Sequence, residues 1–245
     1  SDEIIVVDTG SSDKTKDSVK KFTDKLYDFE WIDDFSAARN FAFSKATEDY
    51  LFWLDADDIV MPEDAEKINN LKKSAVPADT YMMKYYAGTD ENGNPSFEFY
   101  RERLMRNCSL ARFKGFIHEC VPPFGRIVYS EIKVVHKKMR ACSPTRNLDI
   151  FNRNIAKGVV LDSREQYYYA KEFFYLGNYK KCVEELEKYL SGKNLYRADE
   201  WDASLSLFAC YEKLGRKGGE KYLFSVLEKF GPDSKTFCLL GDYYK

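Results

Sequence analysis

Residues 50–58 read Tyr50-Leu51-Phe52-Trp53-Leu54-Asp55-Ala56-Asp57-Asp58, or YLFWLDADD. Five apolar or aromatic residues in succession carry neither a helical nor an alternating period. They predict a strand covered on both faces. Three carboxylates within four positions then close it. Open α/β sheets bind ligands at the carboxyl ends of their strands, so a site is expected here. Carboxylates crowded at one rim repel unless a cation lies between them. A hard divalent ion, Mg²⁺ or Mn²⁺, takes one or two protein carboxylates and leaves positions for phosphate oxygens. The pattern therefore points to a metal-bound nucleoside diphosphate. Asp58 taken alone has a plainer reading, a solvated turn with a helix cap.

The residues upstream alternate strand and helix signals. Glu3–Val7, EIIVV, is a short buried strand that ends at Asp8, and Asp8-Thr9-Gly10-Ser11-Ser12-Asp13 is a turn in which Ser12 or Asp13 is placed to cap a helix. Val19, Phe22 and Leu26 share one face of that helix. Residues 29–32, FEWI, read as the next strand. Residues 35–46 are helical, with Phe35, Ala38, Phe41 and Ala42 on one side. Strand, helix, strand, helix, strand predicts a parallel sheet with right-handed crossovers. Pro62 opens a helix whose first turn carries Glu63 and Asp64, as the helix dipole favours.

From Asp79 to His136 the pattern becomes alternation, and residues 80–88, 96–105 and 125–135 predict antiparallel strands, the first two joined by the turn DENGNP at 90–95. Residues 137–147, KKMRACSPTRN, are basic and aperiodic. They read either as a loop that orders over a bound diphosphate or as a solvated linker between the two parts. After about residue 150 helical spacing takes over. Ala170, Phe173, Gly177, Tyr179 and Cys182 have the tetratricopeptide pattern, Phe208, Tyr211 and Gly215 repeat it, and Gly241 begins a third copy. The expected organisation is an α/β catalytic domain over 1–147 and an all-α tetratricopeptide-like region over 148–245, with an irregular helical bundle as the alternative for the second part.

Bulk properties exclude several classes. The 245 residues carry a net charge of −2, so nothing global favours nucleic acid or an anionic membrane. No apolar run approaches the roughly 20 residues of a membrane-spanning helix, and the expected location is cytoplasmic, either free or at the inner membrane surface. Cys108, Cys120, Cys142, Cys182, Cys210 and Cys238 form no CxxC pair, as expected for single thiols in a reducing compartment.

Three stretches together carry a resemblance: DEIIVVDTGSSDKT from Asp2, FSAARNFAFSKATEDYLFWLDADD from Phe35, and FKGFIHE from Phe113. In this order and spacing they resemble the family 2 glycosyltransferases of the GT-A fold, and most closely the bacterial branch with a C-terminal tetratricopeptide-like region. The resemblance covers roughly residues 2–136 and implies a mixed, Rossmann-like sheet. It implies an inverting, metal-dependent transfer from a nucleotide sugar, of UDP type, to a glycan, lipid-linked or peptide acceptor. It also implies roles by position. Asp8 meets the nucleotide base or ribose, Arg39 and Asp55 bind the nucleotide sugar, and Asp57 binds the metal. His136 completes the metal site or touches the diphosphate, and Glu119 deprotonates the acceptor. His118 is set aside because it alternates to the other face if this segment is a strand. Members usually begin with one further strand, so the sheet here is expected to show an open edge. The other reading is a non-catalytic interaction protein, a degenerate transferase domain with peptide-binding helical repeats. A nucleotidyltransferase would want early phosphate-binding cations, and none precedes Lys14.

Overall fold

The computed structural model describes residues 2–71, 73, 77–89, 95–137 and 143–245. The chain forms two compact units, Ser1–Cys142 and Ser143–Lys245.

In the first unit β1 (Val6–Asp8) and β2 (Leu26–Asp28) pair in parallel, joined through the short helix α1 (Thr15–Val19). The helix stops earlier and the strand starts earlier than the spacing predicts. Thr23 is the reason: its hydroxyl donates to Ile4 O and accepts from Lys25 N, an alternative to helical bonds. The ladder then runs from Val6 N→Lys25 O to Phe29 N→Asp8 O, and Phe22 is left exposed. Helix α2 (Phe35–Ser44) follows, with the Asp34 carboxylate accepting from Ala37 N at 2.9 Å as its cap.

The remaining elements are β3 (Tyr50–Phe52), β4 (Asp58–Ile59), α3 (Pro62–Leu71), β5 (Thr80–Thr89), β6 (Pro95–Arg106) and β7 (Ile127–His136). Their sheet has the order β3-β6-β5-β7-β4. Two expectations are corrected. Strand β3 does not continue a parallel sheet with β1 and β2; it pairs antiparallel with β6, Tyr50 opposite Arg106 and Phe52 opposite Leu104. Strand β7 runs parallel to β5 rather than antiparallel, because the long connection 107–126 carries the chain back before it re-enters. The turn expected at 90–95 falls on residues outside the described ones, apart from Pro95.

Strand β3 is apolar throughout because both its faces are covered. Leu51 and Trp53 pack with Met105, Phe113 and Val121, while Tyr50 and Phe52 lie against the cluster of Ala78, Tyr81, Met83, Leu104 and Ile132.

The second unit is helical: α4 (Arg146–Ala156), α5 (Ser163–Tyr175), α6 (Tyr179–Leu190), α7 (Arg197–Lys213), α8 (Glu220–Phe230) and α9 (Ser234–Tyr243). Arg146 and Asn147 belong to α4, not to a loop, since Ile150 and Phe151 are buried one turn on. Residues 138–142 of the expected basic loop lie outside the described residues. Helices α5–α6 and α7–α8 form two hairpins, and α9 follows them. Ala170, Cys182, Ala203 and Cys210 are fully buried where the helices pack, which is why those positions are small. Gly241, the matching position in the third copy, is exposed.

Gly177 turns the first hairpin at φ +73°, in the left-handed region, with open space where a Cβ would stand. Substitution there meets backbone strain and no clash. Gly177→Ala should lower the stability of the unit by about 1 kcal/mol, read as a shift of the urea midpoint at unchanged slope.

Candidate functional site

The acidic stretch after β3 folds as a tight turn. Asp58 N donates to Asp55 O, and Asp55 N donates back to the Asp58 carboxylate, each at 3.0 Å. Asp58 is not a solvated cap, the plainer of its two readings. Its side chain is fully buried, 2.8 Å from the Arg103 guanidinium, and it accepts from the Tyr85 hydroxyl at 3.1 Å. Burial and the Asp58 charge push the Tyr85 hydroxyl well above its ordinary value, so it stays a donor. Arg103 is itself buried, lying over Trp53 at 3.8 Å and Tyr85 at 4.4 Å while donating to Trp53 O.

Strand pairing brings His136 to this turn. Residue Asp58 of β4 stands opposite His136 of β7, and Lys137 N donates to Asp57 O. His136 Nδ1 lies 3.4 Å from both an Asp57 and an Asp58 oxygen. Ligand atoms of the three residues lie within 4.8 Å of one another. His136 Nδ1 is buried without a hydrogen bond, and burying such an atom unsatisfied is costly. An imidazole nitrogen and two carboxylates fit Mg²⁺ or Mn²⁺ chemically. Asp57 and His136 are the freer pair, because Asp58 is held by Arg103.

The second group of charges centres on Arg39 of α2. Its NH2 donates to Asp55 Oδ1 at 2.6 Å and its Nε to Glu119 Oε1 at 2.7 Å. The guanidinium also lies 4.6 Å from the Trp53 ring. Burial alone would lower its proton affinity, but Asp55 and Glu119 outweigh burial and raise it. Glu119 is not in a named strand, so the argument that set His118 aside does not apply. Residues 114–120 form a loop closed by Lys114 N→Cys120 O at 2.9 Å and Cys120 N→Lys114 O at 3.2 Å. His118 adopts φ +50° within it. Helix α2 fixes this loop: Phe35 N donates to Phe116 O, Ser36 Oγ to Gly115 O, and Asn40 exchanges two hydrogen bonds with Phe113. Arg101 adds a bond to Glu119 O at 3.2 Å.

Arg39, Asp55, Asp57, Glu119 and His136 therefore share one region, joined by Asp58 and Arg103. Asp8 makes its bonds elsewhere. At the end of β1 it accepts from Gly10 N and Ser11 N, with Lys16 3.6 Å away. Burial would raise the Asp8 carboxyl, but these bonds and Lys16 hold it below its ordinary value.

The sequence profile of glycosyl transferase family 2 matches residues 1–131. The chain belongs to that family. It is 36% identical over 122 residues to a TPR repeat-containing protein of Synechococcus elongatus, an alignment covering 49% of this chain and 29% of that protein. It is 30% identical over 126 residues to the SPbeta prophage-derived glycosyltransferase SunS of Bacillus subtilis, covering 48% and 28%. The alignments thus span less than a third of the length of these relatives. Among solved structures, S. aureus TarS aligns over 86% of this chain and 47% of its own, at 13% identity and a TM-score of 0.45. No helix among the described residues is long and apolar enough to cross a membrane.

Proposed function

We propose that this chain transfers a sugar from a nucleoside diphosphate sugar, of UDP type, to an acceptor hydroxyl or side chain. The transfer inverts the anomeric carbon and uses Mg²⁺ or Mn²⁺. The observation that carries this reading is the pair of hydrogen bonds donated by Arg39: one guanidinium ties the acidic turn at Asp55 to the carboxylate of Glu119. This supports a donor station at Asp55 beside a proton-accepting station at Glu119, as such a displacement requires.

Asp57 and His136 would hold the ion, which when bound supplies charge stabilisation to the departing diphosphate. Asp55 and Arg39 orient the donor. Asp8, at the end of the β1–β2 pair, is assigned to the nucleoside. Glu119 takes the acceptor proton while the acceptor oxygen attacks the anomeric carbon. The bond from that carbon to the diphosphate oxygen breaks, and its electron pair leaves with the diphosphate. Arg39 occupies Glu119 Oε1, so the proton is received on Oε2. The helical unit is assigned to protein partners. A non-catalytic platform would not need Glu119 tied through Arg39 to the acidic turn.

Calorimetric titration with UDP, with and without Mn²⁺, tests this reading. Binding should tighten with Mn²⁺. Asp57→Ala should weaken that Mn²⁺-dependent affinity by about 10–100-fold or more and leave the unfolding midpoint unchanged, because the Asp57 side chain is partly exposed at a strand end. Mn²⁺-dependent affinity that survives in this variant removes Asp57 from the site.

A further inference from the structure

We infer that the outer edge of β6 from Phe97 to Tyr100 is the docking line for an extended polypeptide acceptor. The acceptor pairs there as an added strand and presents a side chain at Glu119. The inference rests on the proposed transferase reading for the role of Glu119.

One side of β6 bonds to β5 along its length, from Met105 to Pro95. The other side is covered by β3 only from Leu104 to Arg106. Trp53 extends that cover slightly, its N donating to Arg103 O and its Nε1 to Glu102 O. Further along, no strand among the described residues pairs with it. Phe97, Glu98, Phe99 and Tyr100 are all exposed in succession, on both pleat faces, as an uncovered edge would be. Only Glu98 in this stretch carries the charge with which proteins usually blunt such an edge.

An open edge presents alternating N–H and C=O groups, and their complement is another polypeptide backbone. A glycan or a lipid has no such row. The side chains agree. Phe97 and Phe99 lie with ring centroids 5.4 Å apart, Phe99 is 5.5 Å from Tyr85, and Tyr85 is 6.0 Å from His136. This line of rings leads from the edge to the acidic cluster. Phenylalanines at 97 and 99 suit apolar side chains at every second position of a paired strand. At its inner end the open edge stops where Arg101 bonds to Glu119 O and Glu102 accepts from Val121 N. A strand laid along 97–100 therefore runs toward the proposed base.

Main-chain pairing supplies affinity whatever the side chains, so a generic strand serves as probe. We would use a ten-residue peptide alternating valine and threonine, at millimolar concentration. Hydrogen exchange of the 97–100 amides should slow at least tenfold with this peptide. It should not slow with a copy N-methylated at alternate residues, nor with maltohexaose. Phe97→Ser with Phe99→Ser, both at exposed positions, should reduce the protection while UDP binding with Mn²⁺ is unchanged. The inference is overturned if 97–100 stays unprotected, or if the methylated copy or maltohexaose protects it equally. Protection that rises with protein concentration alone assigns the edge to a second copy and also overturns it. UDP binding, measured in the same samples, shows separately whether the transferase reading stands.

Discussion

Glu119→Gln should lower sugar transfer by about 10²–10⁴-fold, the range of a lost general base, while Mn²⁺-dependent UDP binding stays intact. Glutamine keeps the size and the bond from Arg39 but cannot take a proton near neutral pH. The loop is held independently by α2 through Phe113, Gly115 and Phe116, so the fold is expected to survive. Arg39 keeps its second partner, Asp55, and so remains in place. Transfer is read as UDP released from a UDP-sugar in the presence of acceptor. Loss of UDP binding together with transfer would make Glu119 a structural partner of Arg39. Retention of both would move the base elsewhere.

Arg103→Met should destabilise the first unit by about 3–5 kcal/mol, because it leaves the fully buried Asp58 carboxylate without its counter-charge. That is a large share of the 5–15 kcal/mol that typically holds a domain together. The loss falls on one arrangement: Asp58 anchors the turn through Asp55 N, faces His136, and takes the Tyr85 hydroxyl. Removing both charges, Arg103→Met with Asp58→Asn, should recover part of the stability but not the Mn²⁺-dependent UDP affinity, since one of the carboxylates facing His136 would be gone. Urea unfolding gives the first quantity and calorimetry the second. An unchanged midpoint in Arg103→Met would show that the pair contributes nothing to the fold.

Local chemistry made much of the first unit legible. A strand covered on both faces reads as an unbroken apolar run, and β3 is one. A segment with apolar residues on one face reads as a helix, and α2 is one. Strand partners are set by tertiary contacts that no local pattern records, so the antiparallel partner of β3 and the parallel partner of β7 were not readable. Thr23 ended α1 early through a bond to Ile4, a residue distant in sequence. In the site, the carboxylates after an apolar strand were conspicuous in sequence, whereas His136 was indicated only by the family resemblance. Arg103 did not, because arginine on a strand ordinarily reads as a solvated face. Its signal was present in the alternation of β6: Arg101 and Arg103 share one pleat face, where a buried partner of opposite charge has to be sought. Asp58 was left with two readings for the related reason that three clustered carboxylates look equally exposed in sequence.

We propose that the metal of a metal–diphosphate complex sits at Asp57 and His136, the residues whose ligand atoms lie together with those of Asp58. The chain has two histidines, His118 and His136, so selective labelling gives two imidazole signals. The most direct measurement is their nuclear magnetic resonance line width as Mn²⁺ is added in the presence of UDP. With Asp57 and His136 as ligands, the His136 signal should broaden strongly at substoichiometric Mn²⁺, and the broadening should be lost in Asp57→Ala. A His136 signal that stays sharp at saturating Mn²⁺ and UDP would contradict it.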